Sequence, residues 1–210
     1  MPSSREMMRT LILALVFFFS ACALGPVETS ARRTYFLNPE ISWKNPYGYS
    51  ERIGVSVLLI TQPKAQAGFD TARMAYLLRP YEVNYYAVNQ WADTPARLLH
   101  RIMVENLEKT GLWSAVLQSP GAVPAKYRLD CDNLVLEQQF FSSPSRVRLA
   151  IRAQIVETKK QSILGTRYFE LFEAAPSDDA YGGVVAANHA TAKLVTELAA
   201  WLETFAKDLK

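Results

Sequence analysis

Residues 127–173 read YRLDCDNLVLEQQFFSSPSRVRLAIRAQIVETKKQSILGTRYFELFE, and this stretch decides the fold. Its middle segment, Arg146–Glu157, alternates polar with apolar residues, a period of two that is typical of a strand with one buried face and one solvated face. Tyr127–Phe141 and Ile163–Glu173 predict two further strands on either side of it. Because short turn segments join the three, they predict an antiparallel meander.

The best-marked helix precedes this meander. Thr94 can cap its free N–H groups, and Pro95 suits the first helical position, where a missing N–H costs nothing. Gly111 supplies the left-handed residue that commonly ends a helix. Between these signals an apolar stripe recurs at helical spacing, made of Leu98, Leu99, Ile102, Met103 and Leu107. His100 falls at the edge of the polar side, and we interpret it as a solvated surface histidine.

A second, longer helix is predicted from Val184 to about Leu209, where apolar residues again follow helical spacing. We expect residues 174–183 to form a polar loop before it. In that loop, Gly182-Gly183 would be a flexible lead into the helix, and Asp178-Asp179 would be solvated caps. His189 is expected at the edge of the core or in solvent.

The N-terminal half predicts the remaining strands. Arg52–Thr61 is rich in β-branched residues and predicts a central strand, and Trp113–Leu117 predicts a short one. Arg73–Leu78 and Glu82–Val88 predict a hairpin around Arg79-Pro80-Tyr81. The element order predicts an α+β fold: a mixed, largely antiparallel sheet with two main helices packed on one face.

Aromatic residues are concentrated in and just after the predicted hairpin. They are Tyr76, Tyr81, Tyr85, Tyr86 and Trp91. Cross-strand aromatic packing explains such a group without any function. Tyrosine and tryptophan are also enriched in interfaces, so these five residues are candidates for binding a partner or a lipid. The sequence leaves both interpretations open.

The N-terminus has the features of a processing signal. Arg5 and Arg9 precede a short apolar run, Leu11–Phe19, which is too short to cross a bilayer as a helix. Phe19-Ser20-Ala21-Cys22 resembles a bacterial lipobox, in which acyl chains are attached to the cysteine and the signal is cut before it. That resemblance, with alanine rather than aspartate after Cys22, implies export to the outer membrane. We therefore predict a signal peptide (1–21), a lipidated flexible tether (22–34) and a single domain (35–210).

Composition and charge exclude several function classes. The chain has 210 residues with 23 basic and 20 acidic side chains. Without Arg5, Arg9 and Glu6, which lie in the predicted signal, these become 21 and 19. This near balance lacks the charge excess of a nucleic-acid-binding protein.

The sequence lacks the local motifs of the common catalytic and cofactor sites. It contains no Gly-x-Ser-x-Gly and no phosphate-binding loop, and its two histidines give no metal signature. Cys131 sits on the apolar side of an alternating segment, where a free cysteine acts as a small hydrophobe. We therefore predict no catalytic residues, no cofactor and no metal.

Several of these segments together resemble the ABC-type transport auxiliary lipoproteins. The resemblance is carried by Tyr35-Phe36-Leu37, the Arg52–Thr61 strand, Tyr85-Tyr86, the Trp91-Ala92-x-x-Pro95 helix start that leads to Gly111, and the closing helix. It implies a docking or binding module of an envelope transport system with an MCE-domain protein as partner, carrying lipids or hydrophobic molecules, with phospholipid as a possible ligand. Whether the protein forms homo-oligomers stays open. The alternative is a lipoprotein that assembles another outer-membrane machine without contacting lipid.

Overall fold

The computed structural model describes residues 31–43, 56–121 and 123–207. These ranges contain eight strands and two helices. The elements are β1 (Arg33–Tyr35), β2 (Val57–Ile60), β3 (Arg73–Leu77), β4 (Asn84–Trp91), α1 (Pro95–Lys109), β5 (Ala115–Gln118), β6 (Tyr127–Gln139), β7 (Arg146–Glu157), β8 (Ser162–Ala174) and α2 (Ala180–Lys207). The predicted signal peptide, Cys22 and the first residues of the predicted Arg52–Thr61 strand lie outside the described residues. β1 begins two residues before the predicted start of the domain.

The strands form one mixed sheet that branches at β6. On one edge, β6 pairs antiparallel with β7, and β7 pairs antiparallel with β8, so the predicted meander is confirmed. The other edge of β6 is shared, with β2 parallel to its first half and β3 parallel to its second half. A bulge between Asp132 and Val135, with Asn133 at φ 54°, marks the point where the two branches separate. β5 extends the first branch, and β4 and β1 extend the second.

Both helices pack on the same face of this sheet. α1 lies against β2 and β5, α2 lies against β7 and β8, and the two helices contact each other. The core between helices and sheet is apolar and includes the buried Leu99, Leu149 and Leu194. Cys131 is also buried there as a free cysteine, as predicted. The predicted α+β fold with two helices on one face is therefore confirmed. The long strand pairings, β6 with β7 and β7 with β8, are antiparallel. The parallel pairings are shorter and join β1 to β4, β2 to β5 and β6, and β3 to β6.

The start and end of α1 follow the predicted signals, but His100 does not. The Thr94 hydroxyl accepts a hydrogen bond from the Arg97 N–H, Pro95 is the first helical residue, and Gly111 has a φ of 69°. The prediction of a solvated His100 is wrong: the residue is only 2% exposed, and its Nε2 lies 2.8 Å from the carbonyl oxygen of Ile60. The reason is that β2 lies under this edge of the helix and widens the buried stripe.

The loop before the second helix is half as long as predicted. β8 continues to Ala174 and α2 begins at Ala180, so the loop is residues 175–179, and Gly182 and Gly183 are helical. They are close-packed rather than flexible, because a Cβ on Gly182 would lie 2.0 Å from the Ser177 carbonyl oxygen and one on Gly183 would lie 2.2 Å from Gln138 Oε1. Gly182 is therefore required by the turn into α2, and Gly183 by the tight approach of α2 to β6.

Candidate functional site

An open cleft of about 430 Å³ lies on the helix side of the branch formed by β3, β4 and β1. Tyr35, Tyr76, Tyr86, Phe140 and Tyr181 give it five aromatic side chains, and we call it the aromatic cleft. Ligand pockets of drug-sized molecules have volumes of roughly 300–1,000 Å³ and are lined mainly by apolar and aromatic groups with few polar ones. The aromatic cleft has the size of such a site, and its lining combines the aromatic rings with the polar side chains of Arg33, Asn89, Asp178 and Asp179.

The floor of the cleft is a packed group of three rings. Tyr76 and Tyr86 face the same side of the β3–β4 hairpin, and their ring centroids are 4.7 Å apart. Phe140, which follows β6, meets Tyr76 edge to face at 6.0 Å. Cross-strand and edge-to-face aromatic pairs each stabilise by roughly 0.5–1.5 kcal/mol beyond their area burial, so this floor is rigid.

The wall opposite the floor comes from β1 and the start of α2. Tyr35 and Tyr181 have ring centroids 6.3 Å apart, and the Tyr35 hydroxyl donates to Asn89 Oδ1 at 3.2 Å. Arg33 lies on the same strand as Tyr35 and also lines the cleft. The parallel pairing of β1 with β4 thus brings residues at the end of the predicted tether to the site.

A buried amide fixes the floor to the helix. Gln138 is only 3% exposed, and its Oε1 accepts a hydrogen bond from the Tyr86 hydroxyl at 3.0 Å. Its Nε2 donates to Ser145 Oγ at 2.9 Å and to the Asp179 carbonyl oxygen at 3.1 Å. Burial, and to a smaller extent Tyr76 and the two neighbouring aspartates, raise the pKa of Tyr86 to about 12. Tyr86 is therefore a neutral donor at physiological pH.

Two carboxylates stand at the beginning of α2 and line the cleft. Asp178 accepts hydrogen bonds from the Ser145 N–H at 2.6 Å and the Ser143 hydroxyl at 2.9 Å, and the first of these chiefly lowers its pKa. Asp179 caps the helix by accepting from the Gly182 N–H at 2.7 Å, and this bond chiefly lowers its pKa. Both aspartates are exposed and ionised at neutral pH. Asp179 is a helix cap as predicted, whereas Asp178 binds the loop between β6 and β7 instead.

Exposed apolar side chains surround the mouth of the cleft. Leu78 and Tyr181 line it and are 59% and 61% exposed. Tyr81 is fully exposed, at φ 69°, in the turn that begins beside Leu78. Large apolar residues that border a concave site are typical of surfaces that bind hydrophobic molecules or partners.

The five predicted binding residues are divided between different surroundings. Tyr76 and Tyr86 lie in the cleft, and Tyr81 lies at the nearby hairpin turn. Tyr85 lies on the other face of the sheet, where its hydroxyl donates to the Gly68 carbonyl oxygen at 2.7 Å and its ring packs under the Arg73 guanidinium at 4.0 Å. Trp91 is 3% exposed and borders only a void of about 10 Å³, so it belongs to the core.

The sequence does not identify the other cleft residues as a site. Tyr35, Phe140 and Tyr181 come from three separate elements, and Arg33 falls in the predicted tether. Asp178 and Asp179 are predicted only as caps. One signal in the sequence could have separated the cleft tyrosines from the others, namely the alternation of side chains along a strand. Tyr85 and Tyr86 are consecutive strand residues and must point to opposite faces of the sheet.

The two histidines and Cys131 lie away from the cleft. His100 is buried under β2, His189 is exposed on α2, and burial raises the pKa of Cys131 to about 12. Among the described residues, no three His, Cys, Asp or Glu side chains are grouped to hold a metal ion. Within the same ranges, neither helix is long and apolar enough to span a membrane.

Solved structures share this fold. Protein XCC0632 from Xanthomonas campestris superposes with a TM-score of 0.73 at 20% sequence identity, covering 83% of this chain and 97% of that one. An uncharacterized protein superposes with a TM-score of 0.62 at 12% identity, covering 82% of this chain and 99% of the other. At such identities the likeness establishes the fold and nothing about ligands.

The family follows from the sequence itself. Comparison with curated proteins gives no match. A family model described as the ABC-type transport auxiliary lipoprotein component matches residues 37–199, which include most of the cleft. Since the match covers more than half of the 210 residues, this chain belongs to the ABC-type transport auxiliary lipoprotein family.

Proposed function

We propose that this protein is the outer-membrane lipoprotein of an ABC transport system that contains an MCE-domain protein and carries lipids or other hydrophobic molecules across the envelope. It acts as a docking and binding module and catalyses no reaction. Acyl chains on Cys22 hold it at the membrane, and the aromatic cleft binds the hydrophobic cargo. The single observation that carries the cargo-binding part is the cleft of about 430 Å³, with its five aromatic side chains and apolar border.

Three features support a binding role rather than a catalytic one. The polar groups beneath the cleft are satisfied by one another, since Tyr86, Gln138 and Ser145 form a continuous hydrogen-bonded series. Such a network makes a rigid floor but provides no activated nucleophile. The described histidines and Cys131 do not line the cleft. Family membership supports the association with an ABC transporter.

The docking role is tested by co-purification. The full-length protein, carrying an affinity tag at its C-terminus, is extracted in mild detergent, and bound envelope proteins are identified by mass spectrometry. We expect an MCE-domain protein in the eluate of the wild type and its loss in Cys22→Ala. Cys131→Ala is the matched control because it removes the chain's other cysteine. Recovery of no envelope protein with the wild type would contradict the docking role.

The acyl anchor is tested separately by the intact mass of the mature protein. We expect cleavage before Cys22 and the added mass of acyl chains on the new N-terminal residue. An unmodified thiol with the leader still attached would exclude lipid anchoring. The alternative function, assembly of a different outer-membrane machine without lipid contact, predicts that native mass spectrometry of the purified chain finds no bound lipid.

A further inference from the structure

Charges of both signs line the aromatic cleft on two different elements. The guanidinium of Arg33 belongs to β1, whereas the carboxylates of Asp178 and Asp179 belong to the start of α2. An ionised carboxylate offers about four lone-pair sites. The Ser145 N–H and the Ser143 hydroxyl use two of those on Asp178, so that carboxylate retains acceptor capacity for a ligand.

The aromatic side chains add a second preference for a cation. The face of a tyrosine ring is negative and attracts an ammonium group that lies over it. Tyr181 is on the first turn of α2, next to Asp179 and Asp178, and Tyr35 is the ring facing it. A cation in the cleft therefore meets ring faces and carboxylates together.

An anionic ligand is disfavoured in the same place. The N-terminus of α2 has the character of about half a positive charge, which by itself would attract an anion. Asp179 already satisfies the helix N–H of Gly182, and Asp178 adds a second full negative charge nearby. A phosphate at this end would be repelled, and Arg33 on β1 is the cation left to receive one.

We infer that the aromatic cleft binds the head of a zwitterionic amphiphile, with its ammonium group at Tyr181, Asp178 and Asp179 and its phosphate toward Arg33. The exposed Leu78, which lines the cleft, then borders the path of the acyl chains. This inference rests on the proposed function, because that function is the reason to expect a membrane lipid as the ligand. It goes further by naming the chemical class of the head: one ammonium and one phosphate, not a phosphate alone.

The test compares two phospholipids with the same acyl chains. The full-length protein in maltoside micelles is mixed with equal amounts of phosphatidylethanolamine and phosphatidylglycerol, and bound lipid is counted by native mass spectrometry. One ammonium–carboxylate attraction at water-like screening corresponds to a preference of roughly fivefold for phosphatidylethanolamine. Equal retention of the two lipids would overturn the inference.

Conservative variants assign the preference to the cleft. Asp178→Asn with Asp179→Asn should abolish the selectivity without unfolding the protein, because an asparagine at 179 still caps the helix and an amide oxygen at 178 can still accept from the Ser145 N–H. Tyr181→Phe should retain binding and Tyr181→Leu should lose it severalfold, since only the ring face attracts the ammonium. Asp70→Asn, which removes an exposed carboxylate outside the cleft, is the control for the loss of a surface charge and should change nothing. Unchanged selectivity in the double aspartate variant would refute the site.

Soluble probes and the protein partner separate the remaining outcomes. Saturation-transfer NMR should detect glycerophosphoethanolamine on the protein and not glycerophosphoglycerol. If that soluble head binds but the acylated lipid does not, the amphiphile is refuted. If cleft variants lose the MCE-domain protein and keep the lipid preference, the cleft is a protein-docking surface. The inference and the cargo-binding part of the proposed function then fail, while the docking role stands. Lipid selectivity without any MCE partner would refute the docking function and support the headgroup site.

Discussion

Replacement of Gly183 by alanine tests the packing that supports the cleft. A Cβ at this position would lie 2.2 Å from Oε1 and 2.9 Å from Cδ of Gln138, and the three nearest atoms all belong to that side chain. Overpacking of this kind costs roughly 1–3 kcal/mol. A displaced Gln138 also loses its bonds to Tyr86 and Ser145, each of net worth about 1 kcal/mol.

The opposing term is the helix propensity of alanine, which exceeds that of glycine by about 1 kcal/mol in a helix interior. Together these terms give a net destabilisation of about 3 kcal/mol for Gly183→Ala. In a Gln138→Ala background the clash and the lost bonds are already absent. There the same substitution should be neutral or stabilising by up to about 1 kcal/mol, a coupling of roughly 3–4 kcal/mol.

Urea denaturation of the full-length protein in nonionic detergent, followed by far-UV circular dichroism, measures all four members of this double-mutant cycle. The cycle is its own control because only the response to the glycine substitution is compared. If Gly183→Ala destabilised both backgrounds equally, the approach to Gln138 would not be what requires the glycine. The explanation of the Gly182-Gly183 pair as a close-packing device would then be wrong.

The other predictions concern single buried or half-buried groups. The pKa of Tyr86 rises from 10.0 to about 12 on folding, so between these pH values the native state holds a proton that the unfolded state has lost. The free energy of unfolding should therefore fall as pH rises through this range. Tyr86→Phe should reduce that fall in denaturation curves measured from about pH 9 to about pH 12.5. Replacing His100 by leucine should cost about 0.5–1.5 kcal/mol in urea denaturation, since it removes one of the two hydrogen bonds to the buried Ile60 carbonyl, which keeps the Ser119 N–H. A change at the exposed His189 should cost almost nothing. Cys131 should resist iodoacetamide at about pH 8 in the folded protein and react once urea unfolds it, because burial raises its pKa to about 12; rapid labelling of the native protein would contradict this burial.

Local patterns are sufficient for the meander and the first helix. The alternation in Arg146–Glu157 determines which side of β7 is buried, and Thr94, Pro95 and Gly111 mark the helix ends. These signals act within a few residues of where they stand in the chain. The long antiparallel pairings and α1 are therefore predictable from the amino-acid sequence alone.

The errors arise where a distant element decides the outcome. His100 is buried because β2 lies beneath it, and no residue near His100 in sequence reports that neighbour. Gly182 and Gly183 weaken a helix by propensity, but contacts with Ser177 and Gln138 admit no side chain there. In both cases tertiary packing overrides a local preference.

The cleft is only half predictable for the same reason. Tyr76 and Tyr86 belong to a hairpin that the sequence indicates, and their association requires nothing else. Tyr35, Phe140 and Tyr181 join them only because β1 pairs with β4 and because α2 begins beside the end of β6. A site assembled from four elements leaves no continuous motif in the sequence.

The proposed anchor would raise the local concentration of lipid around the cleft, because it holds the cleft near the membrane. From Cys22 to Arg33 the chain advances eleven residues, which span at most roughly 40 Å when fully extended. Under the proposed lipidation, the β1 side of the cleft therefore stays within that distance of the acylated residue. Short tethers give effective concentrations in the millimolar range, so even a weak headgroup site is occupied while the protein is anchored. Under the proposed function, release from the membrane therefore has two effects: it separates the domain from its partner, and it dilutes the cargo that the cleft binds.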